Sequence, residues 1–145
     1  MGKILVLDEP SGFRELMLAE LGDEGHLVVP IGKPSLLGEL INILEPDLLL
    51  LDLHLCGADR WDVLDMVKKE VPHMPVLIFS AHAGYPRDPR MVGADGFVMK
   101  SFGFEKLKQK VAELLRRKWI HKAEKGRDVR INSRVSIFEA ESKAP

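Results

Sequence analysis

Five short apolar runs punctuate the chain: Ile4-Leu5-Val6-Leu7, Leu27-Val28-Val29, Leu48 to Leu51, Val76-Leu77-Ile78-Phe79 and Phe97-Val98-Met99. Four of them stop at a residue that can do chemistry, namely Asp8, Asp52, Ser80 and Lys100. Runs this short and unbroken suit strands covered on both faces, as in a parallel sheet. Between them, apolar residues recur at helical spacing. Phe13, Leu16, Met17 and Leu21 follow Ser11, a good helix cap. Leu36, Leu37, Leu40, Ile41 and Leu44 follow Pro34-Ser35, a start signal. Trp61, Leu64 and Val67 follow Asp59, read as a cap, and Phe104, Leu107, Val111, Leu114 and Leu115 form the last stripe. Strand and helix in alternation build right-handed βαβ units. The expectation is an α/β, flavodoxin-like, doubly wound fold: a five-stranded parallel sheet of order 2-1-3-4-5 with helices on both faces.

One connection breaks the pattern. Between the fourth and fifth runs, Pro86 and Pro89 stand where a helix should run. An interior proline costs a helix about 3 kcal/mol, but one in the first turn is tolerated. A loop followed by at most a short helix from near Pro89 is predicted.

Charge is uneven along the chain. Residues 1–100 carry 9 Lys/Arg against 16 Asp/Glu, and residues 101–145 carry 12 against 6, within a net charge of −1. The bulk charge gives no case for nucleic acid, and no recognition-helix pattern appears in the basic end. The longest apolar stretch is bounded by Asp47 and Asp52, too short to insert in a membrane. Met1-Gly-Lys-Ile-Leu-Val-Leu has no signal-peptide layout, and the single cysteine, Cys56, excludes an internal disulfide. A cytoplasmic location is expected. The basic end divides the chain into residues 1–118 and a short tail, 119–145. Within the tail, Arg127 to Ile131 and Arg134 to Phe138 alternate at period two around Asn132-Ser133, as in a helix extension followed by a small hairpin.

Ligands of doubly wound sheets bind beyond the carboxyl ends of the strands. There this chain places Asp8-Glu9, Asp52, Ser80 and Lys100. Three carboxylates together repel one another unless a cation neutralises them. Hard oxygen donors with open positions suit Mg²⁺, which then accepts phosphate oxygens. Asp52 can attack phosphorus, while Lys100 and the Ser80 hydroxyl hold the phosphoryl oxygens.

In Lys3–Glu9, Pro46–Leu53, Pro75–Ala81 and Gly93–Lys100, taken in order, the chain resembles a two-component response-regulator receiver domain over residues 2–118. The resemblance implies that Asp52 is the phosphoacceptor. It implies that Glu9 and Asp52 bind Mg²⁺ directly, Asp8 through water, and His54 through its backbone carbonyl. Ser80 and Lys100 would contact the phosphoryl group, and Phe97 would be the aromatic that moves with Ser80 on switching. It implies a phosphorylation-dependent switch with no turnover of a free substrate. The donor would be a histidine kinase or a histidine phosphotransfer protein. The state would be read by a downstream protein or by homodimerisation. The departures are Glu9 for the commoner Asp, no proline at Cys56 and no glycine at Arg60. Ser101 also stands where the family usually has a cis proline. The absent cis proline and the irregular connection between the fourth and fifth runs motivate an alternative, a degenerate receiver acting as a constitutive interaction or scaffold module, against which the complete acidic site argues. A haloacid-dehalogenase-like phosphohydrolase fits poorly, since the best nucleophile follows the third strand and position 54 is His.

Overall fold

The computed structural model describes the backbone of residues 1–142 and the side chains of residues 1–127. Its main sheet has five parallel strands: β1 (Lys3–Leu7), β2 (Leu27–Ile31), β3 (Leu48–Leu51), β4 (Val76–Ser80) and β5 (Gly96–Met99). They lie in the order β2-β1-β3-β4-β5, as expected. The helices are α1 (Gly12–Asp23), α2 (Leu37–Leu44), α3 (Trp61–Glu70) and α4 (Phe104–Ser142).

Strand side chains alternate between faces, so each run feeds two cores. Leu5, Leu7, Leu49, Leu51, Val76 and Ile78 pack with Leu37, Ile41, Leu64 and Val67 of α2 and α3. Ile4, Val6, Leu48, Leu50, Leu77 and Phe79 pack with Met17, Leu21, Leu107, Val111, Leu114 and Leu115 of α1 and α4. All four residues of β3 are buried, which is why that run has no polar alternation. β2 reaches Ile31, two residues beyond the apolar run, and carries Pro30. An edge strand tolerates the missing donor.

The caps divide. The Ser11 hydroxyl accepts from the Arg14 amide at 3.0 Å, as read from the sequence. Asp59 does not cap α3: Arg60 holds that position without a side-chain cap bond, and the Asp59 carboxylate is taken by Tyr85 and His54. Between β4 and β5 stand two 3₁₀ turns, Tyr85–Arg87 and Pro89–Gly93. Pro86 is the second residue of the first turn and Pro89 opens the second, positions where the absent N–H costs nothing.

The hairpin expected in the tail is not formed. α4 runs without a break through Arg127–Ile131 and Arg134–Phe138 to Ser142, and residues 143–145 lie outside the described residues. Extending a helix already anchored on the core adds one bond per residue, whereas a lone two-stranded hairpin has nothing to pack on. Gly126, which costs about 1 kcal/mol in a helix interior, does not outweigh that. The basic start of α4 meets the acidic body: Lys108 pairs with Glu20 at 2.5 Å and Lys118 with Asp47 at 3.3 Å. Among the described residues no helix is long and apolar enough to cross a membrane.

Candidate functional site

Register places the candidate residues. Leu7 and Leu51 are paired across β1 and β3, so Asp8 and Asp52 leave the sheet side by side. The Asp52 amide still donates to the Leu7 carbonyl at 2.9 Å. Ser80 and Met99 end β4 and β5 in register, which starts Lys100 from the same rim.

The Lys100 ammonium crosses to both acids, at 2.7 Å from Asp8 Oδ2 and 2.9 Å from Asp52 Oδ2. Both carboxylates are buried, with 6% and 8% of their residues exposed. Each has its second oxygen on a backbone amide: Glu9 N–H donates to Asp8 at 2.8 Å and His54 N–H to Asp52 at 3.0 Å. The Phe13 and Phe79 rings flank the ammonium at 5.3 and 6.0 Å. Burial pushes the Asp8 carboxyl above the usual carboxylate range, and the hydrogen bond and charge of Lys100 offset this only in part. Burial opposes the Lys100 charge as well, but its bonds to Asp8 and Asp52 prevail and hold it above the ordinary lysine value. One ammonium shared by two buried carboxylates leaves the group short of positive charge.

Glu9 stands at the rim, exposed, and its carboxylate accepts from the Cys56 amide. That amide is presented by a small hairpin, His54–Leu55 against Ala58–Asp59. Its two turn residues, Cys56 and Gly57, have φ of 53° and 77°. Two consecutive left-handed residues are what a tight two-residue hairpin requires. Among the described residues no three His, Cys, Asp or Glu side chains form a ready metal cluster. Asp8 and Asp52 are joined by Lys100, while Glu9 is turned toward the hairpin.

Ser80 is fully buried, and its hydroxyl accepts from the His82 amide at 3.4 Å. Phe97 is half-buried against the cluster on the α2 and α3 side of the sheet. The Lys100–Ser101 bond is trans. The structure thus brings Asp8, Asp52 and Lys100 together directly, sets Glu9 and His54 on the hairpin side, ends the neighbouring strand in Ser80, and leaves Phe97 in the core on one face of the sheet.

Sequence reasoning missed a second cluster at this rim. The His54 and His82 rings lie 4.4 Å apart, and His82 faces Tyr85 at 5.3 Å. Asp59 Oδ1 takes both the Tyr85 hydroxyl, at 2.5 Å, and His54 Nδ1, at 3.2 Å. These two bonds hold Asp59 below the usual carboxylate range. Burial and the Asp59 bond hold the Tyr85 hydroxyl well above its ordinary value. The lone tyrosine between Gly84 and Pro86 was the available signal, in a stretch whose missing helix drew the attention.

Comparison with known proteins agrees with the fold and with the resemblance read from the sequence. A family model described as the response regulator receiver domain matches residues 4–112. The two-component response regulator PhoP of Pseudomonas aeruginosa is 30% identical over 119 residues, 79% of this chain and 52% of that protein. The chain therefore spans about half the length of such curated relatives. The response regulator TrrA of Thermotoga maritima, solved in complex with Mg²⁺ and BeF, superposes with a TM-score of 0.72 at 30% identity, over 79% of this chain and 99% of TrrA. TrrA has also been solved in complex with the histidine kinase ThkA. NtrX of Brucella abortus superposes with a TM-score of 0.77 at 28% identity, over 86% of this chain and 29% of NtrX.

Proposed function

The chain belongs to the response regulator receiver domain family, and from that premise we propose that it is a switch set by phosphorylation of Asp52. Receiver domains of two-component response regulators are signalling modules rather than classical enzymes. The observation that carries the proposal is the Lys100 ammonium spanning Asp8 and Asp52 at the carboxyl end of the sheet.

The donor is the phosphohistidine of a histidine kinase or of a phosphotransfer protein. An Asp52 carboxylate oxygen attacks phosphorus, the P–O bond of an acyl phosphate forms, and the P–N bond breaks to return imidazole to the donor. The backbone amide of His54 keeps Asp52 aimed and Lys100 holds the incoming phosphoryl oxygens. Ser80, buried at the end of the neighbouring strand, turns its hydroxyl from the His82 amide to the phosphoryl group. Phe97 then shifts with it, a population change biased by new local charge.

The chemistry of the donor set suits Mg²⁺: hard oxygens, and two buried carboxylates served by one ammonium. Glu9, Asp52 and the His54 carbonyl would hold it directly and Asp8 through water. When bound it neutralises charge on the transferred group. TrrA, with Mg²⁺ and BeF and with a kinase in its solved complexes, supports both the metal and the partner. We take residues 1–118 as the receiver and 119–145 as a basic appendage on its last helix. A downstream protein, or a second copy, reads the state.

A second reading has one observation in its favour: the β4–β5 connection has lost its helix. A degenerate receiver would then serve as a constitutive scaffold. Labelling with acetyl phosphate decides. Asp52→Asn abolishes the label in the switch reading; a label that persists in the variant removes Asp52 as acceptor. A wild-type chain that takes no label and binds no Mg²⁺ is a scaffold.

A further inference from the structure

We propose that Asp59 and Tyr85 form a latch that ties the β4–β5 connection to the phosphoacceptor loop, and that phosphorylation of Asp52 opens it. The segment Ala81–Gly93 then reports the state of the site. This rests on the reading of Asp52 as phosphoacceptor.

Two backbone amides join the latch to the reacting group. His54 N–H donates to the Asp52 carboxylate at 3.0 Å, and His82 N–H donates to the Ser80 hydroxyl at 3.4 Å. Phosphorylation disturbs both. As an acyl phosphate, Asp52 offers the first amide only an uncharged carbonyl oxygen, a weaker acceptor than the carboxylate, and a Ser80 hydroxyl turned to the phosphoryl group leaves the second. The rings of the same two residues pack tilted against each other, with centroids 4.4 Å apart and planes at 43°. Neither amide can shift without loading that contact.

The ring pair is held at one point. Asp59 Oδ1 accepts from His54 Nδ1 and from the Tyr85 hydroxyl, so one carboxylate oxygen clasps the hairpin to the β4–β5 connection. Asp59 belongs to the hairpin that follows Asp52, and Tyr85 opens the first 3₁₀ turn after β4. Behind it the ring of Tyr85 meets Trp61 edge-on at 5.4 Å. The Arg90 guanidinium lies 4.5 Å from the Trp61 ring and pairs with Asp88 at 2.7 Å. These contacts reach the second turn, Pro89–Gly93. The backbone bonds of the segment close only its own short turns, so its position over the rim depends on such side-chain clasps. Its outer residues, His82, Arg87 and Val92, are exposed and free to meet a partner. Phe97, half-buried across the sheet face, is one strand farther on.

The test is hydrogen–deuterium exchange by mass spectrometry on the full chain, with and without Mg²⁺ and beryllofluoride, alongside acetyl phosphate labelling of the same samples. Tyr85→Phe keeps the ring against Trp61 and removes only the hydroxyl. Asp59→Ala cuts the clasp from its exposed side. In the wild type, beryllofluoride speeds exchange in 82–93. In both variants that segment exchanges about fivefold faster before any beryllofluoride, the loss of one modest hydrogen bond. It then gains little more on adding it, while β1, β3 and β4 stay protected. A variant that keeps the slow basal exchange and the full wild-type response overturns the latch, with Asp52 labelling intact to show that the receiver reading stands. A wild-type chain that takes no label overturns both.

Discussion

Lys100→Met isolates the electrostatic core of the site. Methionine keeps the length and the apolar stem beside Phe13 and Phe79 but removes the charge. What remains is two buried carboxylates, with side chains 8% and 9% exposed, and no cation between them. Breaking a buried pair from one side costs about 3–5 kcal/mol. Here each acid keeps one backbone amide, so the lower end applies, about 3 kcal/mol, or a fall in Tm of roughly 10 °C in a chain of this length. The loss depends on pH. Asp8 already sits above the usual carboxylate value because of burial, and Lys100 supplies the two strongest effects that lower it. Without Lys100 it rises further. An acid raised in the folded state stabilises the chain below its unfolded value of 3.8 and loses that contribution as pH climbs through the folded value. The gap between variant and wild type is therefore full at pH 7 and closes toward pH 4. Mg²⁺ at a hundred times its Kd should return about 2.7 kcal/mol to the variant. Urea denaturation in EDTA and in Mg²⁺, at pH 7 and pH 4.5, measures all three quantities. Equal stability at pH 7 in EDTA, or a gap that does not narrow in acid, refutes the buried-pair account.

Two further outcomes test the frame around the site. Ser11→Ala removes the acceptor for the Arg14 amide and should destabilise the chain by about 1 kcal/mol in the same urea assay. Acetyl phosphate labelling of Asp52 should survive it. Ending the chain at Lys118 should remove helical circular dichroism yet preserve cooperative unfolding and labelling. The α4 residues buried in the core end at Leu115, while Trp119 and Ile120 are 38% and 59% exposed. Loss of cooperativity would show that the long helix, and not residues 1–118, is the folding unit.

What could be read in advance follows from how each residue is placed. Asp8, Asp52, Ser80 and Lys100 each follow an apolar run, and in a parallel sheet the ends of the runs are a place in space as well as in sequence. Once Leu7 pairs with Leu51, the meeting of Asp8 and Asp52 needs no further information. The charge split was legible as composition but not as pairing. That Lys108 finds Glu20 and Lys118 finds Asp47 depends on how α4 lies across α1 and the sheet. The tail misled because period-two alternation is a local signal. An anchored helix propagates through such a stretch when no second sheet is there to receive it.

Asp59 and Tyr85 escaped for a different reason. They are 26 residues apart, on a two-residue hairpin strand and a 3₁₀ turn, and neither element has a periodicity to announce it. The turn Cys56-Gly57 brings Asp59 back beside His54, and the two prolines that forbid a helix after Ser80 bring Tyr85 to the same rim. Two of the departures from the family pattern, in the loop after Asp52 and in the connection after Ser80, thus lie on the same side of the site. Each alone reads as damage to a receiver. Joined through one carboxylate oxygen, they would give the proposed phosphoacceptor a short route to the surface, with a clasp in place of the lost helix.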